Sequence, residues 1–139
     1  MQRWIVFIRV RAMSAIELTP ILNVSDFDAS VAWFEEIGFQ PGFRWTDAAS
    51  NSTGFGAVIW GQIEIFLCVN GQGGRGEHGA WMSIFVDDVD AVYDRCVAVG
   101  HEILHEPRDE PWGVREFHVR HPDGHVLRIG TGIGESDED

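Results

Sequence analysis

The chain has 139 residues, of which 45% are apolar and 12% aromatic, and its formal net charge is −12. This length suits one globular domain with a sizeable core, and the composition excludes intrinsic disorder. The excess of 22 acidic residues over 10 lysines and arginines disfavours nucleic acid and anionic membranes as partners and would attract cationic small molecules.

The two cysteines, Cys68 and Cys96, lack the C-x-x-C spacing of a zinc cluster, and reduced thiols in a cytoplasm are the simplest interpretation. No apolar run approaches the roughly 20 residues that a membrane-spanning helix needs. Residues 1–15 open with an apolar run that Arg9 and Arg11 interrupt, so the run is shorter than the core of a secretory signal. We interpret these residues as an extension ahead of a start at Met13.

A first structural unit is predicted over residues 16–70. Its first strand, over residues 17–24, leads into a helix that Ser25 or Asp26 can cap and that Gly38 ends in a left-handed conformation. Apolar residues recur at helical spacing and predict one buried stripe, formed by Phe27, Val31, Phe34 and Ile37. Three strand-like runs follow, over residues 39–46, 54–60 and 62–69.

A glycine-rich linker over residues 71–79 is interpreted as a flexible connection to a second unit over residues 80–132. The two helical segments align without a gap, residues 24–38 over residues 86–100. The second unit has a strand over 80–86, a helix capped by Asp87 or Asp88 and ended by Gly100, and strands over 101–106, 114–120 and 125–131. Its buried stripe is predicted to be Val89, Val92, Cys96 and Val99. Residues 133–139 form an acidic tail that we expect to fray.

Two βαβββ modules in tandem predict an α+β fold, because a repeat this short must pair its open face with a partner. The strongest motifs are W-F-E-E-I-G-F at 33–39, V-D-D-V-D at 86–90 and H-P-D-G-H-V-L-R-I at 121–129. On these motifs the chain resembles the vicinal oxygen chelate superfamily, which includes glyoxalase I, ring-cleaving dioxygenases, and fosfomycin and bleomycin resistance proteins. The resemblance implies that the paired modules form a curled sheet with a cleft. His121 departs from the usual D-P-D-G of the family, and the fold alone does not decide the function.

Metal-using members of this superfamily hold the ion on the first and last strand of each module. The resemblance places Thr19, Glu64, Trp81 and Arg128 at those positions. One carboxylate beside these side chains cannot hold a divalent ion, and the arginine repels it. We therefore predict no metal, no cofactor and no catalytic residue, and we interpret the six histidines as scattered surface residues.

Without a metal, the inward positions become the wall of a binding cleft. In D-E-P-W-G at 109–113, Pro111 and Gly113 hold the chain in a turn that presents Trp112 instead of hiding it. Aromatic walls stack on flat ligands, and nearby acids select cations. Trp33 and Trp60 are assigned to packing. The predicted ligand-binding residues are Phe43, Trp45, Glu64, Cys68, Trp81, Asp109, Glu110, Trp112 and Arg128.

The run E-P-W-G-V-R-E-F followed by R-H-P-D-G is similar to the bleomycin resistance proteins of this superfamily. That resemblance implies a homodimer without a catalytic metal, which sequesters the drug in two acidic, aromatic clefts between its subunits. It matches Trp112 to the tryptophan that lies against the drug's flat bithiazole, Phe43 to an aromatic residue of the same cleft, and Pro20 to the bend of an N-terminal arm. The insertion at 47–54 has no counterpart.

We therefore expect a binding protein that takes up a cationic, partly planar glycopeptide of the bleomycin type and does no chemistry on it. Two alternatives remain open on the sequence. One is a metal-dependent lyase or dioxygenase of the same superfamily, and the other is an orphan domain that binds an endogenous metabolite.

Overall fold

The computed structural model describes residues 13–134, so the predictions for residues 1–12 and for the last five residues of the acidic tail lie outside the described residues. The first module comprises β1 (Ile21–Val24), α1 (Phe27–Ile37), β2 (Gln40–Thr46), β3 (Thr53–Trp60) and β4 (Ile63–Val69). The second comprises β5 (Trp81–Phe85), α2 (Val89–Ala98), β6 (Glu102–Glu110), β7 (Val114–Arg120) and β8 (Val126–Gly132). Neither described helix has the length and apolar character needed to cross a membrane.

Each module forms its own four-stranded sheet, and the two sheets have the same topology. Their strand orders are β1-β4-β3-β2 and β5-β8-β7-β6. In each sheet the first strand pairs in parallel with the last strand of its module, and the other pairings are antiparallel. This correspondence confirms the predicted tandem βαβββ modules and the α+β class.

The helices begin at aspartate caps. The side chain of Asp26 accepts a hydrogen bond from the N–H of Ala29 in α1, and Asp88 does the same in α2. The whole predicted stripe of α1 is buried. The α2 stripe was wrong at Val99, which is 43% exposed because it follows the last helical residue and no longer points at the core.

Two strand boundaries differ from prediction. β1 begins at Ile21 instead of residue 17, because Ile21 is the first residue in register with β4, although the carbonyl of Pro20 still accepts a hydrogen bond from the N–H of Phe66. β6 runs on to Glu110 instead of ending at residue 106. Pro107 is accommodated because β6 is the edge strand of its sheet, where a proline removes no hydrogen bond from a second neighbour.

The hydrophobic core lies between each helix and the one sheet face that the helix covers. In β5, for example, Ile84 is buried while Trp81 and Phe85 on alternate positions are exposed. Trp33 and Trp60 belong to the core or pack against it, as predicted. The other face of each sheet is called its open face below, and the predicted site residues have to be sought there.

Three histidines lie at the contact between the modules, so the prediction of scattered surface histidines was wrong for them. His121 and His125 are each 1% exposed. The ring of His101 stacks on Trp33, with centroids 4.7 Å apart. His121 lies against the same indole edge-on at 4.9 Å. His101 and His121 of the second module therefore pack directly against α1 of the first module.

Hydrogen bonds fix the tautomers of the two most buried rings. The N–H of Asp123 donates to Nδ1 of His121 at 2.9 Å, so Nε2 carries the proton that faces the Ser30 hydroxyl at 3.0 Å. In His125, Nδ1 accepts from the N–H of Ala80, and Nε2 donates to the carbonyl of Asn23 at 2.8 Å. Both rings are fully satisfied, because each uses one donor and one acceptor.

The glycine-rich linker is tied to the second module. A short 3-10 turn at Gly76–His78 lies in it, and the N–H of Gly76 donates to the carbonyl of Asp123 at 2.7 Å. Gly124, with φ of +98°, approaches so closely that an added Cβ would lie 2.3 Å from the Gly76 oxygen. The P-D-G turn therefore needs this glycine both for its backbone and for the contact.

The buried histidine at position 121 predicts a stability that depends on pH. Burial lowers the pKa of His121 from 6.5 to about 4, and nearby His125 acts in the same direction. Since the unfolded chain binds this proton at the ordinary pKa, the contribution of His121 is complete above pH 6.5 and falls as pH drops toward 4. We expect urea unfolding to show a loss of about 2–3 kcal/mol from this residue between pH 7.5 and 4.5.

The matched comparison uses His121→Gln and His78→Gln, since His78 is exposed. The first variant should lose much of the pH dependence, whatever its stability at neutral pH, and the second should behave as the parent chain. Equal pH slopes for His121→Gln and the parent would contradict the assignment.

Candidate functional site

The open face of the first sheet carries an aromatic cluster. Phe43, Phe55 and Phe66 lie with ring centroids 5.3–5.7 Å apart. Trp45 is paired with Phe55 across β2 and β3, and Phe55 with Cys68 across β3 and β4. The predicted Phe43, Trp45 and Cys68 therefore share one face. Phe55 and Phe66 were not predicted as site residues from the sequence.

Glu64 lies on this same face, because residues two apart on a strand point the same way and Glu64 precedes Phe66 and Cys68 on β4. The register with β3 pairs it with Ile59. The same alternation, applied to the predicted Cys68, would have found Phe66.

The open face of the second sheet holds a cavity of about 200 Å³. We call it the Trp112 cavity, and its lining residues are Ser83, Phe85, Trp112, Val114, Glu116, Arg128 and Gly130. Trp112 is 60% exposed and lies in the turn between β6 and β7. Gly113 has φ of +86° and donates its N–H to the carbonyl of Glu110 at 3.1 Å, which closes the turn. The turn thus presents the indole at the mouth of the cavity, as the P-W-G sequence predicts.

Gly130 leaves the floor of the cavity free of side-chain atoms. It lies on β8 between Phe85 of β5 and Glu116 of β7. A Cβ at this position would approach Val114 Cγ1 to 2.7 Å and Glu116 Cβ to 3.2 Å. Any side chain here would push against the neighbouring strand and fill the cavity.

A buried carboxylate anchors the floor. Both oxygens of Glu116 accept hydrogen bonds from the guanidinium of Arg128, at 2.8–3.2 Å, and Nε2 of His118 lies 2.9 Å from Oε2. Burial raises the pKa of Glu116, but the hydrogen bonds from His118, Arg128 and Trp112 outweigh it, so the pKa lies below its ordinary value. Glu116 is therefore ionised at neutral pH, and its hydrogen bonds hold Arg128 and His118 beside the cavity.

A second polar pair continues this network along the sheet. The ring of His105 stacks on His118 with centroids 4.5 Å apart, and its Nε2 lies 3.2 Å from Glu110. Trp81 meets His118 edge-on at 5.7 Å. Glu110 and Trp81 were predicted as site residues. His105 and His118 were not, because the histidines had been assigned to the surface.

The structure separates the two acids that the sequence places together. Asp109 points to the opposite face of the sheet from Glu110, because successive strand residues alternate. There it binds Arg115 at 3.0 Å, which also binds Asp90 on α2 at 3.1 Å. The prediction that both acids face the ligand was wrong for Asp109, because β6 extends through it.

The open-face residues form two groups, one on each sheet. In the described part of the chain no hydrogen bond, ion pair or aromatic pair joins the two groups. The modules meet instead at a groove of about 350 Å³, where Trp60 and Ile63 face Phe85 and Asp87. Phe43 and Trp112 are thus presented by separate surfaces of one chain.

The superfamily metal positions are occupied by unsuitable groups. Thr19 precedes β1, Trp81 is exposed, and Arg128 is bound to Glu116. Within residues 13–134, no three His, Cys, Asp or Glu side chains converge on a point that could hold a metal ion. The absence of a metal from the working protein stays a prediction.

The two cysteines lie in different environments. Cys96 is buried in the core, and burial raises its pKa to about 11, so its thiol stays protonated. Cys68 is half-buried on the open face of the first sheet.

The sequence and fold match known proteins. A family model described as the glyoxalase/bleomycin resistance protein/dioxygenase superfamily matches residues 14–129. A bleomycin resistance protein from Klebsiella pneumoniae is 29% identical over 122 residues, covering 81% of this chain and 90% of that protein.

Solved structures give the same result. A bleomycin-binding protein complexed with bleomycin has a TM-score of 0.67 at 26% identity, covering 85% of this chain and 99% of that one. The bleomycin resistance determinant encoded on transposon Tn5 has a TM-score of 0.64 at 27% identity, with 85% and 98% covered. TioX from Micromonospora sp. ML1 shares the fold, with a TM-score of 0.72 at 23% identity and 86% and 100% covered. The chain belongs to the glyoxalase/bleomycin resistance protein/dioxygenase superfamily.

Proposed function

We propose that the protein is a metal-free, non-enzymatic binding protein that sequesters a partly planar small molecule of the bleomycin type in the cytoplasm. The observation that carries the proposal is Trp112, held by a closed turn at the mouth of an open cavity. A bleomycin resistance protein at 29% identity and a bleomycin-bound structure at 26% identity support the choice of ligand.

Stacking supplies the affinity in this proposal. A fixed indole costs little conformational entropy on binding, and an aromatic pair contributes about 0.5–1.5 kcal/mol beyond the area it buries. Phe85 also lines the cavity and is exposed, so it offers a second aromatic surface to a flat group. Sequestration needs no more than this, because there is no transition state to stabilise.

The proposed binding needs no ion. Glu64 is a single carboxylate, and Arg128 of the second module is a cation paired with Glu116, so neither belongs to a set of metal ligands. The two free cysteines support a reducing compartment.

A second copy of the chain completes the cleft. The open faces expose large apolar side chains, and so does the segment before β1, where Ile16 and Leu18 are among the most exposed residues. Exposed apolar surface of this kind is typical of an interface. A symmetric dimer would set the Phe43 surface of one subunit opposite the Trp112 cavity of the other, which gives two clefts.

The ligand assignment is tested with metal-free bleomycin and protein dialysed against EDTA. Isothermal titration calorimetry should detect binding, and Trp112→Ala should weaken it about tenfold or more, because the stacking surface is lost. The unfolding midpoint should change little, since truncation of an exposed side chain avoids the 3–5 kcal/mol cost of a buried tryptophan.

The matched control is Val97→Ala, which truncates an exposed apolar residue on α2, away from both open faces. It should leave the affinity unchanged. A Trp112→Ala protein with a collapsed midpoint and an unaltered affinity in its folded fraction would show that Trp112 is a packing residue.

The assembly is tested by analytical ultracentrifugation at micromolar concentration. We expect a particle of twice the 15.6 kDa chain mass. Ile21→Glu should shift the population to the monomer, because it places a charge on the open face of the first sheet, whereas Val97→Glu on α2 should not. A strictly monomeric parent protein would exclude the shared cleft.

A further inference from the structure

We propose that Arg128 and Ser83 make the Trp112 cavity a subsite for a planar group that carries a carbonyl or carboxylate oxygen, and not for a positively charged group. The inference rests on the proposed function only in treating the cavity as part of the ligand cleft. It concerns which end of a mixed-polarity ligand enters there.

The two charged side chains of the cavity differ in how accessible they are to a ligand. The side chain of Glu116 is 6% exposed and that of Arg128 is 35% exposed, so the carboxylate lies behind the guanidinium. Arg128 is the charged group that a ligand meets in this cavity. A ligand cation would meet a like charge there, without access to the acid that balances it.

The cavity also offers hydrogen-bond donors that have no partner in the described residues. Nε and Nη2 of Arg128 are engaged with Glu116, which leaves the two N–H groups of Nη1 without a hydrogen-bond partner within residues 13–134. Ser83 is exposed, lies in register with Arg128 on the neighbouring strand, and its hydroxyl has no partner in the same part of the chain. The floor therefore offers unused donors beside apolar walls, which is the complement of an acceptor oxygen on a flat ring.

The acidic side chains near the cavity are unavailable to bind a ligand cation. Glu110 is bound to His105 and Arg108 at 3.2–3.3 Å and is largely buried. Asp109 faces the other side of the sheet, where it binds Arg115. The expectation that Asp109 and Glu110 select a cation at Trp112 therefore does not hold at the cavity itself.

Three probes with one ring system separate these possibilities: 2-naphthoate, 2-naphthamide and 2-naphthylmethylammonium. Calorimetric titration of the parent protein should show the carboxylate and amide binding about tenfold more tightly than the ammonium, because each accepts a charge-assisted hydrogen bond. Ser83→Ala should reduce that preference by a few-fold.

The variant that removes the preference is Arg128→Met combined with Glu116→Gln, so that no carboxylate is left buried without its partner. The three probes should then bind within about threefold of one another. Arg75→Met is the control, since Arg75 has a similar exposure of 37%, pairs with Asp123, and lies outside the cavity. It should keep the full preference.

Tighter or equal binding of the ammonium probe to the parent protein would overturn the inference. So would an oxygen preference that survives in the folded double variant, or failure of all three probes to bind at millimolar concentration. A bleomycin titration of the same preparations separates the two proposals. Bleomycin binding without an oxygen preference defeats the subsite alone, whereas an Arg128-dependent preference without bleomycin binding defeats only the proposed ligand.

Discussion

Each four-stranded sheet has one helix, and a single helix can cover only one of its faces. The rest of the structure depends on this constraint. Alternate residues of the inner strands β3, β4, β7 and β8 therefore divide into a core set, such as Leu67 and Ile129, and an open set, such as Phe66 and Arg128. The open set is free to vary in chemistry, because it contributes no core packing within the chain. This explains how one scaffold can present an aromatic cluster on one module and a polar cavity on the other.

Three polar side chains of the second sheet, two on its helix side and one on its open side, are held by paired hydrogen bonds. On the helix side, His121 and His125 reach the first module and leave no ring nitrogen unpaired. On the open side, Glu116 is satisfied by Arg128 and His118. Paired groups of this kind resist rearrangement, since breaking one contact leaves a buried charge or donor without a partner. The cavity walls are thus preorganised before any ligand arrives.

Local patterns in the sequence predicted the helices, their aspartate caps and the position of Trp112, because each of these depends on residues within a turn or two. The buried state of His121 could not be predicted that way, since its partner Ser30 lies 91 positions away. Its one local signal was the histidine that replaces the usual aspartate before P-D-G. Glu116 was also missed, although it lies two residues before His118 on a strand whose alternation was visible. Asp109 was misplaced because it was assigned to the loop that carries Trp112, whereas the edge strand β6 continues to Glu110.

The net charge of −12 and the donor-lined cavity act over different distances. The acidic surface attracts a cationic molecule from beyond contact, but salt screens that attraction within about 8–10 Å. Inside the Trp112 cavity, where the accessible charge is the guanidinium of Arg128, direct hydrogen bonds would decide the orientation of the proposed ligand. A ligand that is cationic at one end and carries a planar ring with an acceptor oxygen at the other would suit both the acidic surface and the guanidinium of Arg128. The steering field would then set how fast such a molecule arrives, and Arg128 would set which end enters.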